Sequence, residues 1–366
     1  MKKNVCHIVS GLKAGGVETM IYNYCKNLKN DYNFFLLYQH EPSQKNIKEF
    51  LKIGFKLQRI PSKIKHPIKN YIETLNYLKN NSIDIVHCHM TLMNLIPLLA
   101  AKRLKIKVRI CHSHNSDVRN KNFLVKIIEK VLKITCINNA TNLVACGEDA
   151  GKYMFGKRKY LILNNAMDLD LYKYNPSSRK KIRNAYNISN EEILIGHIGR
   201  FTDQKNHKFL IEIFEKIIST SNKIKYKLML LGDGELKNEI EELVIEKHLN
   251  DLVIFTGIVS NPNDYYSAFD IFLLPSLWEG LPVVSIEAQI SGLICGFSNN
   301  IDKNCKVIDT TKFLDNTNLD EWVEFSKIKS NSYNRRCNEN LFNDMGLNIN
   351  TEVQKLKKIY DGGTIK

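Results

Sequence analysis

A chain of 366 residues, 43% hydrophobic and 25% charged, has enough apolar content to bury two ordinary cores and is not extensively disordered. Its nine cysteines are scattered without a CxxC pair, which excludes a disulfide framework and leaves free thiols in a reducing compartment as the expectation. The formal charge of +15 is uneven: residues 1–168 carry 28 Lys and Arg against 11 Asp and Glu, whereas residues 169–366 carry 25 against 27.

The chain opens on a strand-like run, Asn4 to Val9, rather than a charged leader with a long apolar region. No later run approaches the ~20 apolar residues that span a bilayer, so a cytoplasmic protein is expected. The first strand runs into Ser10-Gly11-Leu12-Lys13-Ala14-Gly15-Gly16-Val17-Glu18, with a helix from about Val17. Paired glycines there let backbone N–H groups approach a phosphate, although the spacing is neither a dinucleotide fingerprint nor a Walker loop.

Further strand-like runs follow at Asn33 to Tyr38, Asp84 to His87, Val108 to Cys111 and Leu143 to Cys146, each succeeded by a helical pattern. That alternation predicts a parallel, doubly wound sheet. Two His-x-His pairs, His87-Cys88-His89 and His112-Ser113-His114, stand at strand ends, where alternation puts each pair on one face. Four imidazoles in such a place are candidate metal ligands, and a His-rich metal-dependent hydrolase is one reading. No carboxylate cluster accompanies them, so the expectation is no metal and one neutral histidine lining a sugar site.

Basic residues cluster at Lys102, Arg103, Lys105, Lys107 and Arg109, then at Lys121, Lys126, Lys130 and Lys133. Such clusters attract nucleic acid, anionic headgroups or a phosphorylated acceptor. Leu124, Ile127, Ile128, Val131 and Leu132 form an apolar stripe opposite the second set, which predicts an ordinary amphipathic helix covering the sheet. A nucleic-acid-binding protein is the reading least favoured, because no aromatic-basic stacking pattern or recognition helix accompanies the charge.

A polar stretch from Asp168 to Asn190 interrupts the alternation and predicts the domain boundary. Strand signals resume at Ile193 to Ile198, Lys227 to Leu231, Val253 to Thr256, Ile271 to Leu274 and Leu293 to Phe297. The first of these leads into Gly199-Arg200-Phe201-Thr202-Asp203-Gln204-Lys205 and a helix over Lys208 to Ile218. An arginine able to grip phosphate oxygens in two places, next to a lysine near a helix N-terminus, suits a departing diphosphate. The loops Gly232-Asp233-Gly234 and Gly257-Ile258 also follow strands. Ile271 to Leu274 leads into Pro275-Ser276-Leu277-Trp278-Glu279-Gly280-Leu281-Pro282, and a helix from Val283 to Ile290 carries Glu287. Two carboxylates, Glu279 and Glu287, thus frame a strand-to-helix loop at the carboxyl end of a sheet, where ligands bind open α/β folds.

Taken in order, Gly15-Gly16, His114, Asn165 with Asp168, Gly199-Arg200 with Lys205, Gly232-Asp233-Gly234, Gly257 and Glu279 to Glu287 resemble the family 4 retaining glycosyltransferases of the GT-B fold, over residues 1 to about 298. Arg109 to Asn115 and Glu287 to Leu293 look like the bacterial exopolysaccharide and capsule branch. The resemblance implies two facing Rossmann-like α/β domains with parallel sheets and an interdomain cleft. Residues 1–168 would form an acceptor domain and residues 169–345 a nucleotide-sugar donor domain, with 346–366 a terminal helix crossing back to the first. The implied reaction moves a sugar from a nucleotide-diphosphate sugar, UDP-linked by expectation, to a hydroxyl of a lipid-linked or saccharide acceptor. A sugar-nucleotide epimerase of the same fold is a further alternative beside the His-rich metal-dependent hydrolase.

Roles come from the resemblance position by position. Arg200 and Lys205 would neutralise the leaving diphosphate in place of a metal ion, so neither cofactor nor metal is implied. Glu287 would take the ribose hydroxyls and Glu279 the donor sugar. The backbone of Gly280, Leu281, Val283 and Val284 would cradle phosphate and sugar, Gly257 and Ile258 would meet the base, and Gly15 and Gly16 would close over the diphosphate. His114 matches the sugar-contacting histidine, with His112 beside it as an alternative. Where the family has Glu-Gly-Phe-Gly-Leu, this chain has Glu-Gly-Leu-Pro-Val, and Pro282 removes one backbone donor. Through Lys102 to Lys133 the protein is expected at the anionic inner face of the membrane, with no nucleic-acid partner.

Overall fold

The computed structural model describes residues 2–13, 15–115, 122–221, 224–327 and 335–364. Lys121 of the second basic cluster and Ala14 of the first glycine loop lie outside the described residues. The chain divides into two compact units: Met1–Asp168 with Gly346–Lys366, and Leu169–Met345.

In the first unit, β1 (Lys3–Ile8), β2 (Tyr32–Tyr38), β3 (Lys56–Arg59), β4 (Ile85–Cys88), β5 (Val108–Ser113), β6 (Asn142–Ala145) and β7 (Leu161–Ile162) form one parallel sheet in the order β3-β2-β1-β4-β5-β6-β7. Both faces are covered, which is why the central strands read as apolar runs without alternation. One face packs Val5, Ile85, Ile110 and Val144 beneath the helix Gly16–Leu28, and the other packs Cys6, Val86, Cys88 and Cys111 beneath Leu98 and Ala101. The helix Ile349–Tyr360 returns to this unit, laying Ile349, Val353, Leu356, Ile359 and Tyr360 against Met20 and Tyr24. Each fully buried apolar side chain of that kind stabilises by ~1.5–3 kcal/mol.

The second unit repeats the plan with β8 (Ile193–Ile198), β9 (Tyr226–Leu231), β10 (Val253–Gly257), β11 (Ile271–Leu274), β12 (Ile294–Ser298) and β13 (Thr311–Leu314), ordered β10-β9-β8-β11-β12-β13. The strands absent from the sequence reading, β3, β7 and β13, all lie at sheet edges. An edge strand has one neighbour and buries less, so β3 carries Lys56, Gln58 and Arg59 instead of an apolar run.

One expectation fails. The helix Phe123–Asn139 does not turn its apolar stripe toward the sheet: Leu124 is 72% exposed and Ile128 59%, with Ile127 and Val131 also exposed, and its buried residues are Cys136 and Asn139 at the far end. Amphipathic periodicity identifies a face without saying what covers it.

Candidate functional site

In each sheet the strand order reverses once, between β1 and β4 and between β8 and β11. Loops leaving two adjacent strands in opposite directions open a crevice at that point, which is where doubly wound sheets take ligands. In the second unit the two loops concerned are Gly199–Lys205 after β8 and Pro275–Pro282 after β11.

These loops are joined by hydrogen bonds. Leu277 N–H donates to the Gln204 carbonyl (2.8 Å), and Gln204 Nε2 donates to the Trp278 carbonyl (2.9 Å). Lys205 Nζ lies 2.5 Å from Glu279 Oε1, both side chains being mostly buried, and Ser276 Oγ donates to the same carboxylate oxygen at 3.2 Å. Arg200 stays exposed and makes no ion pair among the described residues. Lys205 is thus paired with Glu279, while Arg200 on the same loop has no ion-pair partner among the described residues.

Gly232 and Gly234 hold the loop from behind. Gly232 sits at φ +139°, and a Cβ there would meet the Gly199 carbonyl oxygen at 1.9 Å. A Cβ at Gly234 would fall 2.4 Å from the Phe201 carbonyl oxygen. Phe201 N–H donates to the Asp233 carbonyl at 3.1 Å. These glycines admit the backbone that carries Arg200.

Glu287, on the helix Val283–Ile290, is buried, and its Oε2 accepts from the Tyr266 hydroxyl at 2.7 Å, with Tyr172 as a second donor. Burial raises its pKa above the usual carboxylate range, and the tyrosine hydrogen bonds oppose that shift. At the start of this helix Pro282 occupies the cap without a side-chain hydrogen bond, which leaves the first-turn N–H groups of Val283 and Val284 without intrahelical partners. Gly257, at φ +69° with open space around it, and Ile258, 76% exposed, follow β10. Arg200, Lys205, Glu279 and Glu287 and these backbone groups all belong to the second unit. Gly15, Gly16 and His114 belong to the first. Tyr266, Tyr172, Ser276 and Gln204 escaped the sequence reading; nothing short of tertiary packing identifies a tyrosine 21 positions before Glu287 as its partner.

In the first unit the two His-x-His pairs are joined by His7, which is paired in register with His87 across β1 and β4. Hydrogen bonds run His112 Nδ1 to His87 Nε2 (3.1 Å), His87 Nδ1 to the Tyr360 hydroxyl (2.9 Å), Tyr360 to His7 Nε2 (3.2 Å), His7 Nδ1 to His89 Nε2 (3.0 Å) and His89 Nδ1 to His114 Nε2 (2.9 Å). Burial lowers every imidazole's pKa, His7 to about 3 and His114 to about 4, so all five are neutral near pH 7. Gly15 and Gly16 stand at the start of the helix Gly16–Leu28, Gly15 without a side-chain cap.

The comparisons agree with this layout. Residues 14–170 match the model of Glycosyltransferase Family 4 and residues 178–339 that of Glycosyl transferases group 1. The chain is 36% identical over 310 residues to EpsF of Bacillus subtilis (strain 168), covering 82% of this chain and 80% of EpsF. It is 26% identical over 311 residues to the UDP-Gal:alpha-D-GlcNAc-diphosphoundecaprenol alpha-1,3-galactosyltransferase of Escherichia coli, 80% of this chain and 79% of that protein. The structure of Anabaena HepE in complex with UDP and glucose superposes with a TM-score of 0.73 over 99% of this chain and 100% of HepE, at 12% identity, a likeness of fold. With both halves matched and both sheets of the Rossmann-like kind, the chain belongs to the family 4 glycosyltransferases and has the GT-B fold.

Proposed function

We propose that this glycosyltransferase moves a sugar from a UDP-sugar to a hydroxyl of a lipid-linked saccharide during assembly of a surface polysaccharide, with retention at the anomeric carbon and without a metal in the transfer step. The observation that carries this reading is the Lys205–Glu279 ion pair with the unpaired Arg200 on the same loop, at the switch point of the second sheet. Fixed cations aimed at a leaving group supply much of a transfer enzyme's rate. An incoming diphosphate competes for Lys205, and Glu279 then turns its freed oxygen to a hydroxyl of the sugar. The bond from the anomeric carbon to the phosphate oxygen breaks with its electron pair on UDP, the acceptor oxygen attaches on the same face, and its proton passes to the departing phosphate. Glu287 takes the ribose hydroxyls, and the N–H groups of Val283 and Val284 face the phosphates.

The acceptor is assigned to the first unit. Its helices Pro67–Asn80, Leu95–Arg103 and Phe123–Asn139 pack in succession and expose Ile68, Ile72, Leu99, Leu124, Ile127 and Ile128 among lysines. An exposed apolar face ringed by lysine suits the boundary of an anionic bilayer, where a lipid-linked acceptor resides. No helix among the described residues is long and apolar enough to cross a membrane.

Thermal stabilisation by a panel of nucleotide sugars, repeated with Arg200→Ala and Glu287→Ala, tests the donor site. A UDP-sugar that stabilises the wild type and neither variant supports it, and stabilisation that survives both substitutions rules it out. An inverted linkage in the product would sink the retaining mechanism.

A further inference from the structure

We propose that His89, His112 and His114 hold a divalent late first-row metal ion, zinc by preference, which ties the end of β4 to the end of β5. One nitrogen from each lies within 4.8 Å of the other two, close enough for a single ion to draw all three in. His112 supplies the second observation: it is fully buried, and its Nε2 has no hydrogen-bond partner among the described residues. A buried ring nitrogen without a partner is unusual in a folded interior, and in the tautomer that puts its lone pair there it is what a metal ligand presents. The donor set is all imidazole, which suits zinc, copper or nickel and disfavours magnesium and calcium. His114 is the least buried of the three.

The hydrogen-bond chain behind these residues is a ready second shell. Without a metal, His7, His87 and His89 can each donate once and accept once, with protons running one way through Tyr360 between His112 and His114 at the ends. An ion that replaces the His89–His114 hydrogen bond takes the lone pairs of His89 Nδ1 and His112 Nε2 together and puts their protons on the opposite nitrogens. His89 then donates to His7, which donates to the Tyr360 oxygen; His112 donates to His87, which donates to the same oxygen. Both arms converge on Tyr360 as acceptor, and its hydroxyl proton must turn away from both. Partners of this kind fix the tautomers of metal-bound histidines. The ion has no part in the leaving-group chemistry assigned to Arg200 and Lys205.

The test uses the full chain without a histidine tag, stripped with chelator and then titrated with Co2+ or Zn2+ in the absence of nucleotide sugar. Expected are one equivalent of bound metal by elemental analysis, visible d–d absorption from Co2+ in a nitrogen-ligand site, and a raised melting temperature. His112→Asn and His114→Ala each abolish the Co2+ spectrum. Tyr360→Phe keeps the ligands and weakens binding about 10–100-fold, the usual effect of losing a second-shell partner. Substoichiometric metal with no Co2+ spectrum in the wild type, which needs no folded variant, overturns the proposal. A spectrum lost in His7→Gln but kept in His114→Ala overturns this ligand set. Because no donor sugar enters the measurement, its failure is separate from failure of the transfer reading.

Discussion

Lys205 and Glu279, 74 residues apart in sequence, form an ion pair at 2.5 Å, with side-chain exposures of 14% and 12%. The contact joins the loops after β8 and β11 across the point where the sheet order reverses. Removing one partner strands a charge in a mostly enclosed place, so the two residues should couple. A double-mutant cycle of Lys205→Met and Glu279→Gln, read by denaturant unfolding, should give an interaction energy of about 1–3 kcal/mol. Additive effects would show the pair to be energetically idle.

Arg200 predicts the opposite split. It is exposed and has no ion-pair partner among the described residues, so Arg200→Ala should change stability by less than about 0.5 kcal/mol. The same substitution should lower kcat by about 10²–10³-fold if the guanidinium meets charge developing on the leaving diphosphate. Equal kcat in variant and wild type would remove Arg200 from the reaction.

Glu287 gives a pH signature. Its folded-state pKa is raised by burial, with Tyr266 and Tyr172 the facing groups, so the folded chain holds this proton more tightly than the unfolded chain. Stability therefore falls as pH rises from the pKa of a free glutamate to the raised value of Glu287. Nucleotide affinity should move the other way, since the ionised carboxylate is the better acceptor of ribose hydroxyls. Glu287→Gln should flatten both dependences over that window in melting curves and nucleotide titrations. An unchanged affinity profile would show that Glu287 does not meet the nucleotide.

The terminal helix should be indispensable to the first unit. Leu356 is fully buried in its core, so Leu356→Ala should cost about 2–5 kcal/mol. A chain truncated after Met345 should lose cooperative unfolding of the first sheet, measured by hydrogen exchange in β1 and β2.

The exposed stripe separates two accounts of the helix Phe123–Asn139. Leu124→Gln with Ile128→Gln should leave stability within about 0.5 kcal/mol per site, because neither side chain is buried. The pair should abolish binding to anionic vesicles in a sedimentation assay, and binding by the wild type should weaken with salt. A large stability loss with vesicle binding intact would favour a packed helix.

Much of this molecule was legible from sequence because its strongest signals are local. Runs such as Ile193–Ile198 and Ile271–Leu274, and the helix Val283–Ile290, are written in consecutive residues: a strand buried on both faces has no polar alternation to confuse it. The loop residues Arg200, Lys205 and Glu279, and Glu287 on the helix Val283–Ile290, stand out for the same reason, each next to or within an unambiguous strand or helix. The edge strands β3, β7 and β13 were illegible because half-exposed backbone tolerates polar residues, whereas the edge strand β10 kept a readable apolar run.

By itself, then, the sequence determined the two parallel sheets, the loops that carry charge at their carboxyl ends and the family they announce. Only the tertiary structure decided which charges are paired, that Tyr266 holds Glu287, that His7 and Tyr360 complete a chain of histidines, and that an apolar stripe lies on the surface. The physical reason is range. Periodicity and turn chemistry act over a few residues, whereas an ion pair, a hydrogen bond or a covered face depends on segments tens to hundreds of positions away, brought together by sheet order.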